Sequence, residues 1–464
     1  MKKLMEHEPS EKATGKEASG IGMLIGCLSI AVLLCLAQIS GSRILIAVCL
    51  LLFLVFHFRA CRKKDAFCVL LFFLPWSPLL RLNLSSISFF TLALLVTCLF
   101  YLQKNAFRIG ISQILLTAFL AVTTLIAKGI QSNPIANDYL FFFGMILLFP
   151  CAAKGVCNMV SFARITLFFA CGIILAALSA RQAAAYPNIS QYIRVDSYLT
   201  ITRLSGYYRD PNFYSAHITA CLAGIQMLMS RERQRGRLFG WTVLFIVLIY
   251  CGMLSASKSF IVVLACQCLV WIPILLEREN ISRKLALIAG ILGAGAVFLS
   301  SSAVQELLRI MEVRFSYASN ISELTTGRTD LWLKYLREFV HNGWLTLLGE
   351  GYTSITLENE ASHNTVIQGI FQFGLLGFPA LCAWIVFILK RAGSGRLRHC
   401  RAKYVLLMGV GVALPWMGLD ILFFDEFFLL PIYAVIGIAD SMHTVEPAAW
   451  NRRGREIGRE YAEE

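Results

Sequence analysis

Apolar stretches of about 20 residues recur along nearly the whole chain, and this pattern restricts the fold more than any other feature. In lipid, a run of that length crosses the bilayer as a helix, because a helix satisfies its own backbone polar groups. With 57% hydrophobic and 15% charged residues, the chain is not an ordinary soluble protein. We predict fourteen spans, at 21–40, 44–58, 66–80, 87–102, 111–127, 139–153, 165–180, 212–229, 238–253, 259–276, 285–300, 364–389, 404–419 and 427–440. The short second span and the third, which carries Pro75 and Pro78, are the least regular, so a total of twelve or thirteen spans also fits the sequence.

We therefore predict an all-α, polytopic integral membrane helix bundle of about 12–14 transmembrane helices. The predicted organisation is a cytoplasmic tail at 1–20, a bundle at 21–440 and a second cytoplasmic tail at 441–464. With the N-terminus inside, 29 of the 42 lysines and arginines fall on inner loops and tails, which agrees with the positive-inside rule. The two long loops, 181–211 and 301–362, then face outward.

The net charge of +14 is largely explained by these inner basic residues, so no nucleic-acid binding is predicted. The fifteen cysteines fall on spans and inner loops and show no metal-ligand spacing. Neither a metal nor a cofactor is predicted. Apart from Asp440, the last residue of the fourteenth, no predicted span contains Asp, Glu, Lys or Arg, although ion-coupled carriers usually hold such groups at the membrane midplane. This argues against a coupled transporter.

The polar groups suited to chemistry lie at the predicted outer rim instead. Arg203 and Arg209 precede the eighth span, where Asp210 and Pro211 are typical helix-start residues. Lys258 is the single charge of a tight turn before the tenth span. Each of these cations has a plainer interpretation, as an arginine reaching lipid headgroups or as a solvated turn lysine.

Arg328 lies in the polar stretch 301–362, at the start of a predicted amphipathic helix that includes Trp332, with Thr329 as its N-cap. A guanidinium beside a helix N-terminus is suited to grip a diphosphate. The alternative is an ordinary surface arginine on a loop.

His363, followed by Asn364, ends the same stretch at the rim of the twelfth span. A neutral histidine there suits a general base, although a polar helix-end residue is the alternative. We expect His217, inside the eighth span, to be packed or hydrogen-bonded. His341 lies at the C-terminal end of the amphipathic helix, where it complements the helix dipole.

The order and spacing of these motifs resemble the O-antigen ligase and O-antigen polymerase (Wzy) membrane family. The resemblance covers about residues 200–390 in its motifs and the whole chain in its topology. The motifs are Arg203 with Gly206, Asp210-Pro211-Asn212, Ser257-Lys258, Gly327-Arg328 with Trp332, Gly349 and Gly351, His363-Asn364, and Gly374-Leu375-Leu376-Gly377.

The resemblance implies a GT-C-like, inverting, metal-independent glycosyltransferase of the bacterial cytoplasmic membrane, with one large outer loop between the last spans. The implied donor is a glycan on undecaprenyl diphosphate, and the acceptor is a sugar hydroxyl of another lipid-linked glycan. Flippase and chain-length regulator proteins are the further partners it implies, besides membrane lipids.

Carried over to this chain, the resemblance makes His363 the catalytic base and Arg328 the main ligand of the donor diphosphate. Lys258, Arg209 and Arg203 would bind the diphosphate as well, while Asn212, Asn364 and Trp332 would support the site. Lys258 departs from the arginine that is usual in the family and loses its bidentate fork. The sequence does not separate polymerase from ligase. A lipid-linked oligosaccharide flippase is the alternative function, and it would line a central cavity with charge.

Overall fold

The computed structural model describes most of the chain outside the two termini, part of the 278–326 region and several short loops. The described residues are 11–83, 87–104, 109–136, 138–156, 161–193, 197–198, 201–208, 210–277, 300, 305–306, 308–309, 312, 316, 325, 327–352, 357, 360–393, 402–422 and 424–441.

Apart from one pair of two-residue strands, the regular structure of the described chain is helical. The first half comprises α1 (Glu11–Ser40), α2 (Arg43–Lys63), α3 (Ala66–Phe73) with a 3₁₀ turn (Leu74–Leu79), α4 (Phe89–Lys104), α5 (Ile111–Gln131), α6 (Tyr139–Val156), α7 (Phe162–Ala183) and α8 (Pro187–Ser190). The antiparallel strands β1 (Ser197–Tyr198) and β2 (Ile201–Thr202) follow. The second half comprises α9 (Pro211–Arg231), α10 (Arg235–Leu254), α11 (Lys258–Leu276), α12 (Arg328–His341), α13 (Gly343–Leu348), α14 (Thr365–Gly393), α15 (Ala402–Ala413) with a 3₁₀ turn (Leu414–Gly418), and α16 (Glu426–Asp440).

Seven helices in the described chain are long and apolar enough to cross a membrane, which confirms a helical bundle of the membrane type. They correspond to the first, second, fifth, seventh, ninth, tenth and twelfth predicted spans. Four shorter apolar helices occupy the third, fourth, sixth and thirteenth predicted positions. The eighth and fourteenth coincide with α9 and α16, and the span predicted at 285–300 lies outside the described residues.

The third segment is not the continuous helix that was predicted. Its α-helix ends at Phe73, and a 3₁₀ turn carrying Pro75 and Pro78 replaces the last turns, because proline lacks the N–H that an α-helix needs. The turn is nevertheless buried, and the Trp76 indole donates to the Gly172 carbonyl at 3.1 Å. The glycine allows α7 to approach this backbone, since a Cβ at residue 172 would overlap the Phe72 carbonyl.

The fifth helix runs past its predicted end at residue 127 and includes Lys128, which is buried. This charge was left outside the span because a lysine ends an apolar run in sequence. In the fold it lies near Glu350, whose carboxyl accepts from the Asn133 side chain at 3.4 Å, while Gln131 donates to the Gly349 carbonyl at 2.7 Å. The end of α5 is thereby fastened to the Gly349–Gly351 turn.

The Gly349–Gly351 turn also pairs with a break in α14. At Gly374 the helix adopts φ 62° and ψ −173°, a conformation open to glycine. The N–H groups of Glu350 and Gly351 donate to the Phe371 and Gln372 carbonyls at 2.9 and 2.8 Å. Carbonyls that lose helical partners near the break are thus satisfied by the turn.

Helix α9 lies at the centre of the bundle and is buried along nearly its whole length. Several of its buried polar groups bond to other helices. His217 bonds to Glu426 at 2.8 Å, and the Thr219 carbonyl accepts from Gln267 at 2.7 Å. Polar pairs of this kind tie α9 to α11 and α16.

Candidate functional site

A cavity of about 1020 Å³ opens where the N-termini of α9, α11 and α12 meet the residues just before α14. Asn212, Lys258 and Arg328 lie at the first or second positions of their helices and all line it. Helix N-termini carry unpaired N–H groups and a partial positive charge, so a cavity at their meeting point favours an anion. The lining residues are Arg203, Asp210, Pro211, Asn212, Lys258, Ser259, Val262, Val263, Thr325, Gly327, Arg328, Leu331, Trp332, Glu360, Ala361, His363, Leu414, Met417 and Gly418.

Arg328 is the first residue of α12. Gly327 precedes it at φ 79°, so the N-cap is this glycine and the prediction of Thr329 was wrong. The left-handed conformation at residue 327 suits glycine, and the Thr329 N–H turns to the Thr325 hydroxyl at 3.3 Å. One terminal nitrogen of the Arg328 guanidinium donates to the Gly418 carbonyl at 2.7 Å. The side chain is thus held against the 3₁₀ turn that follows α15.

The surroundings of Arg328 are partly desolvated. Burial lowers the pKa of its guanidinium, and the neighbouring Asp210 carboxylate acts in the opposite direction. Arginine stays protonated at any physiological pH. The cavity therefore holds a permanent positive charge whose field little water screens.

Lys258 begins α11, directly after Ser257, whose hydroxyl caps that helix by accepting from the Phe260 N–H at 3.4 Å. The Ser257 hydroxyl is buried and donates to the side-chain oxygen of Asn212 at 2.8 Å. This bond joins the first turns of α9 and α11. Asn212 therefore helps to fix the distance between Lys258 and the start of α9.

Arg203 enters the cavity from the segment after β2. Its Nε donates to the Ser255 carbonyl at 3.2 Å, and the Leu204 N–H donates to the Leu254 carbonyl at 2.9 Å. Asp210 caps α9 by accepting from the Asn212 N–H at 2.8 Å. Asp210 and Glu360 bring negative charge to the cavity, which partly balances the three cations among the described lining residues.

His363 lies at the cavity wall with φ 51°, a conformation that is uncommon for a residue other than glycine. Its ring is half-buried and makes no hydrogen bond within the described part of the chain. Burial first, and then the Arg328 charge, lower the pKa of the imidazole, while Asp210 and Glu360 raise it. The balance favours a neutral ring, which can accept a proton.

Asn364 lies behind the cavity rather than in its wall. Its side-chain oxygen caps α14 by accepting from the Val366 and Ile367 N–H groups at 3.0 and 3.2 Å. Its amide nitrogen donates to the Met417 carbonyl at 3.3 Å. The residue thereby fixes the backbone that presents His363.

Trp332 lines the cavity one turn after Arg328, and its indole donates to the Ser362 carbonyl at 2.9 Å. The Tyr335 hydroxyl donates to the Glu360 carbonyl at 2.5 Å from the same face of α12. Helix α12 is thereby fastened to the segment just before His363. Tyr335 and Phe339 of this helix are buried, whereas Leu336 is exposed.

Six of the eight residues predicted for the site line this one cavity: Arg203, Asn212, Lys258, Arg328, Trp332 and His363. Asn364 supports it from behind, and Arg209 lies outside the described residues. His217 is buried against Glu426, and His341 is exposed, with its ring bonded to the Arg337 carbonyl of its own helix.

Sequence reasoning missed the contribution of the Leu414–Gly418 turn, which was predicted as the end of a span. The signal was the pair Pro415 and Gly418, because proline and glycine mark the end of a helix. From the sequence, Asp210 was interpreted only as a helix-start residue, although it also lines the cavity. No cluster of three or more His, Cys, Asp or Glu side chains in the described residues is placed to hold a metal ion.

The fold and the site together define a multi-pass helical membrane protein with a cationic, histidine-containing cavity at one end of its bundle. Searches against protein-family models and against curated proteins find no match.

Proposed function

We propose that this protein is a membrane glycosyltransferase that transfers a glycan from an undecaprenyl-diphosphate-linked donor to a sugar hydroxyl of a lipid-linked acceptor. The observation that carries the proposal is the meeting of Arg203, Lys258, Arg328 and His363 in one cavity. These four residues are separated by up to 160 positions in sequence. A diphosphate leaving group needs fixed cations, and a hydroxyl nucleophile needs a base. The cavity contains both kinds of group.

The donor diphosphate is proposed to lie against Arg328, with Lys258 and Arg203 on the facing walls. As the bond between the anomeric carbon and the diphosphate oxygen breaks, negative charge grows on the leaving oxygen. Positioned cations in a partly dry site stabilise this charge without reorganising at the moment of reaction. The Gly418 carbonyl occupies one guanidinium nitrogen and orients the remaining N–H groups.

His363 is proposed to take the proton of the acceptor hydroxyl as that oxygen attacks the anomeric carbon. The lowered pKa keeps the imidazole neutral and ready to accept. Attack from the face opposite the diphosphate inverts the anomeric centre. Charge balances, because the proton passes to His363 and the electron pair leaves with the diphosphate.

The site is proposed to face the outside of the bacterial cytoplasmic membrane, with both termini in the cytoplasm. There the enzyme would act as a polymerase of O-antigen, capsule or exopolysaccharide, or as an O-antigen ligase. The two activities share a donor and differ in acceptor. A flippase for lipid-linked oligosaccharides would need the same cations but no base, which makes His363 the residue that separates the two functions.

The experiment is a transfer assay with purified protein and lipid-linked donor. His363→Ala should lower the rate by about 10²–10⁴-fold, the usual contribution of a general base. His341→Ala is the matched control, because His341 is exposed, lies outside the residues that line the cavity, and bonds to the Arg337 carbonyl of its own helix. It should retain nearly the full rate.

A His363→Ala variant with more than about a tenth of the wild-type rate, short of any general-base contribution, would remove His363 as the base. Glu360 would then be the next candidate, because it also lines the cavity, whereas Glu350 is turned toward Lys128 and Asn133. Glu358, the third candidate carboxylate near His363 in sequence, lies outside the described residues. Donor movement across vesicles without any transfer would favour the flippase.

A further inference from the structure

Helix α12 carries more apolar surface than the protein covers. Its buried face, with Tyr335 and Phe339, packs against Phe371 of α14. A second apolar stripe of Leu333, Leu336 and Val340 lies beside that face and is exposed. These three positions recur at the i, i+3 and i+7 spacing of one helix stripe.

The helix thus has three sectors around its axis, at about 100° per residue. One sector packs on the bundle, the next is the exposed apolar stripe, and the third holds Asp330, Lys334, Arg337, Glu338 and His341. The charges of the third sector are of both signs, so they favour neither an acidic nor a basic partner for the stripe. Because the stripe consists of large aliphatic side chains, it favours an apolar environment.

The stripe continues into surfaces that belong to the bundle. Trp344 of α13 is 57% exposed, Val340 is 72% exposed, and Leu347 lies on the same short helix. The backbone of Leu347 lies directly against Gly374, where α14 breaks, and the next two residues, Leu375 and Leu376, are exposed leucines of a helix long enough to cross a membrane. The exposed surface is therefore continuous from α12 to the flank of a candidate transmembrane helix.

We propose that α12 and α13 lie in the membrane interface, with Leu333, Leu336, Val340 and Trp344 buried among lipid acyl chains. The flank of α14 must meet lipid if that helix spans the bilayer, and the stripe extends the same surface sideways. Tryptophan is enriched at this depth, because its ring is apolar while its N–H can reach water. Arg337, beside the stripe, is long enough to reach the headgroups.

This arrangement places the cavity wall at the lipid surface, since Arg328 and Trp332 lie on α12 itself. The proposal concerns the position of the helix and stands whether or not the protein transfers glycans.

The test is nitroxide scanning of the purified protein in lipid nanodiscs. The parent variant replaces Cys382, the one exposed cysteine in the described chain, together with Cys157 and Cys400, which lie outside it. Single cysteines are added as Leu336→Cys, Val340→Cys and His341→Cys, and the parent without an added cysteine gives the labelling background. Collision with oxygen, which concentrates in lipid, is compared with collision with a water-soluble nickel chelate.

Labels at residues 336 and 340 should collide preferentially with oxygen, and the label at residue 341, one position further along the same helix, with the nickel chelate. If the label at residue 340 collides mainly with the nickel chelate, as the label at 341 should, the stripe lies in water and the proposal is overturned. A label at 340 shielded from both reagents would also overturn it, because another protein surface, such as a second copy, would then cover the stripe. Since all three sites are exposed on one helix, a folding defect would show as loss of the contrast together with altered spectra at all three.

Discussion

Two histidines on neighbouring parts of the bundle have opposite surroundings. The His217 side chain is fully buried and lies 2.8 Å from the Glu426 carboxylate, which is 2% exposed. His363 is half-buried at a cavity wall and has no hydrogen-bond partner among the described residues. A polar group whose bond is already made inside the protein supports the fold, while one left open toward a cavity is available to a ligand.

The backbone conformation also differs between the two histidines. His217 occupies a regular turn of α9. His363 has a left-handed φ of 51° and is held there by the Asn364 cap and by the Trp332 bond to Ser362. Backbone of this kind costs energy and persists where surrounding contacts enforce it, often at functional sites. The comparison therefore assigns stability to His217 and chemistry to His363.

The largest expected effect tests the stability half of this comparison. His217→Ala leaves a buried Glu426 without its partner and should reduce the free energy of unfolding by about 3–5 kcal/mol. His363→Ala breaks no bond within the described chain and should leave stability nearly unchanged. Thermal unfolding of both variants in the same detergent measures the difference. Equal melting temperatures for His217→Ala and the wild type would show that the pair is not structural.

The next effect tests how Arg328 is held. Arg328→Ala should slow glycan transfer by about 2–4 kcal/mol of activation free energy, the usual loss for one electrostatic donor at a reacting centre. Arg328→Lys should recover part of it, because the charge remains but the fork is lost. Arg337→Ala on the exposed side of α12 is the matched control and should change the rate little.

A smaller loss should follow when the guanidinium is moved but kept. A Cβ at residue 418 would lie 2.8 Å from the Arg328 terminal nitrogen, too close for an ordinary contact. Gly418→Ala should therefore shift the guanidinium off its carbonyl and cost about 0.5–1.5 kcal/mol, the net value of one hydrogen bond. Combined with Arg328→Ala it should cost almost nothing more, and full additivity in the double variant would contradict the coupling.

The helices could be predicted from the sequence because apolar length alone defines a membrane span. The residues gathered at the cavity could be anticipated for a related reason. A bundle of alternating helices brings every second N-terminus to the same end, so cations just before such helices meet. That logic needs only the order of the spans and the positions of Arg203, Lys258 and Arg328.

Contacts between distant segments could not be predicted in the same way. The His217–Glu426 bond joins residues 209 positions apart, and the local sequence around one residue does not indicate that the other is its partner. The break of α14 at Gly374 depends on the Gly349–Gly351 turn, which supplies the N–H donors for its carbonyls. Lys128 was excluded from its helix because burial of a charge becomes acceptable only when a partner such as Glu350 is known.

The smallest effect concerns pH and sharpens the chemical half of the comparison. Burial and the Arg328 charge lower the pKa of His363, so the basic form should persist below the pH at which an ordinary histidine is half protonated. The rate of transfer should therefore fall only on the acidic side of that ordinary value.

Arg328→Lys retains the charge and should leave this acidic limb of the pH–rate profile nearly in place. Arg328→Ala removes one of the two causes that lower the pKa, while Asp210 and Glu360 continue to raise it, so the limb should move to higher pH. The measurement is the residual rate of each variant against pH, normalised to its own plateau. A limb that stays fixed in Arg328→Ala would mean that the group being titrated is not His363 beside Arg328.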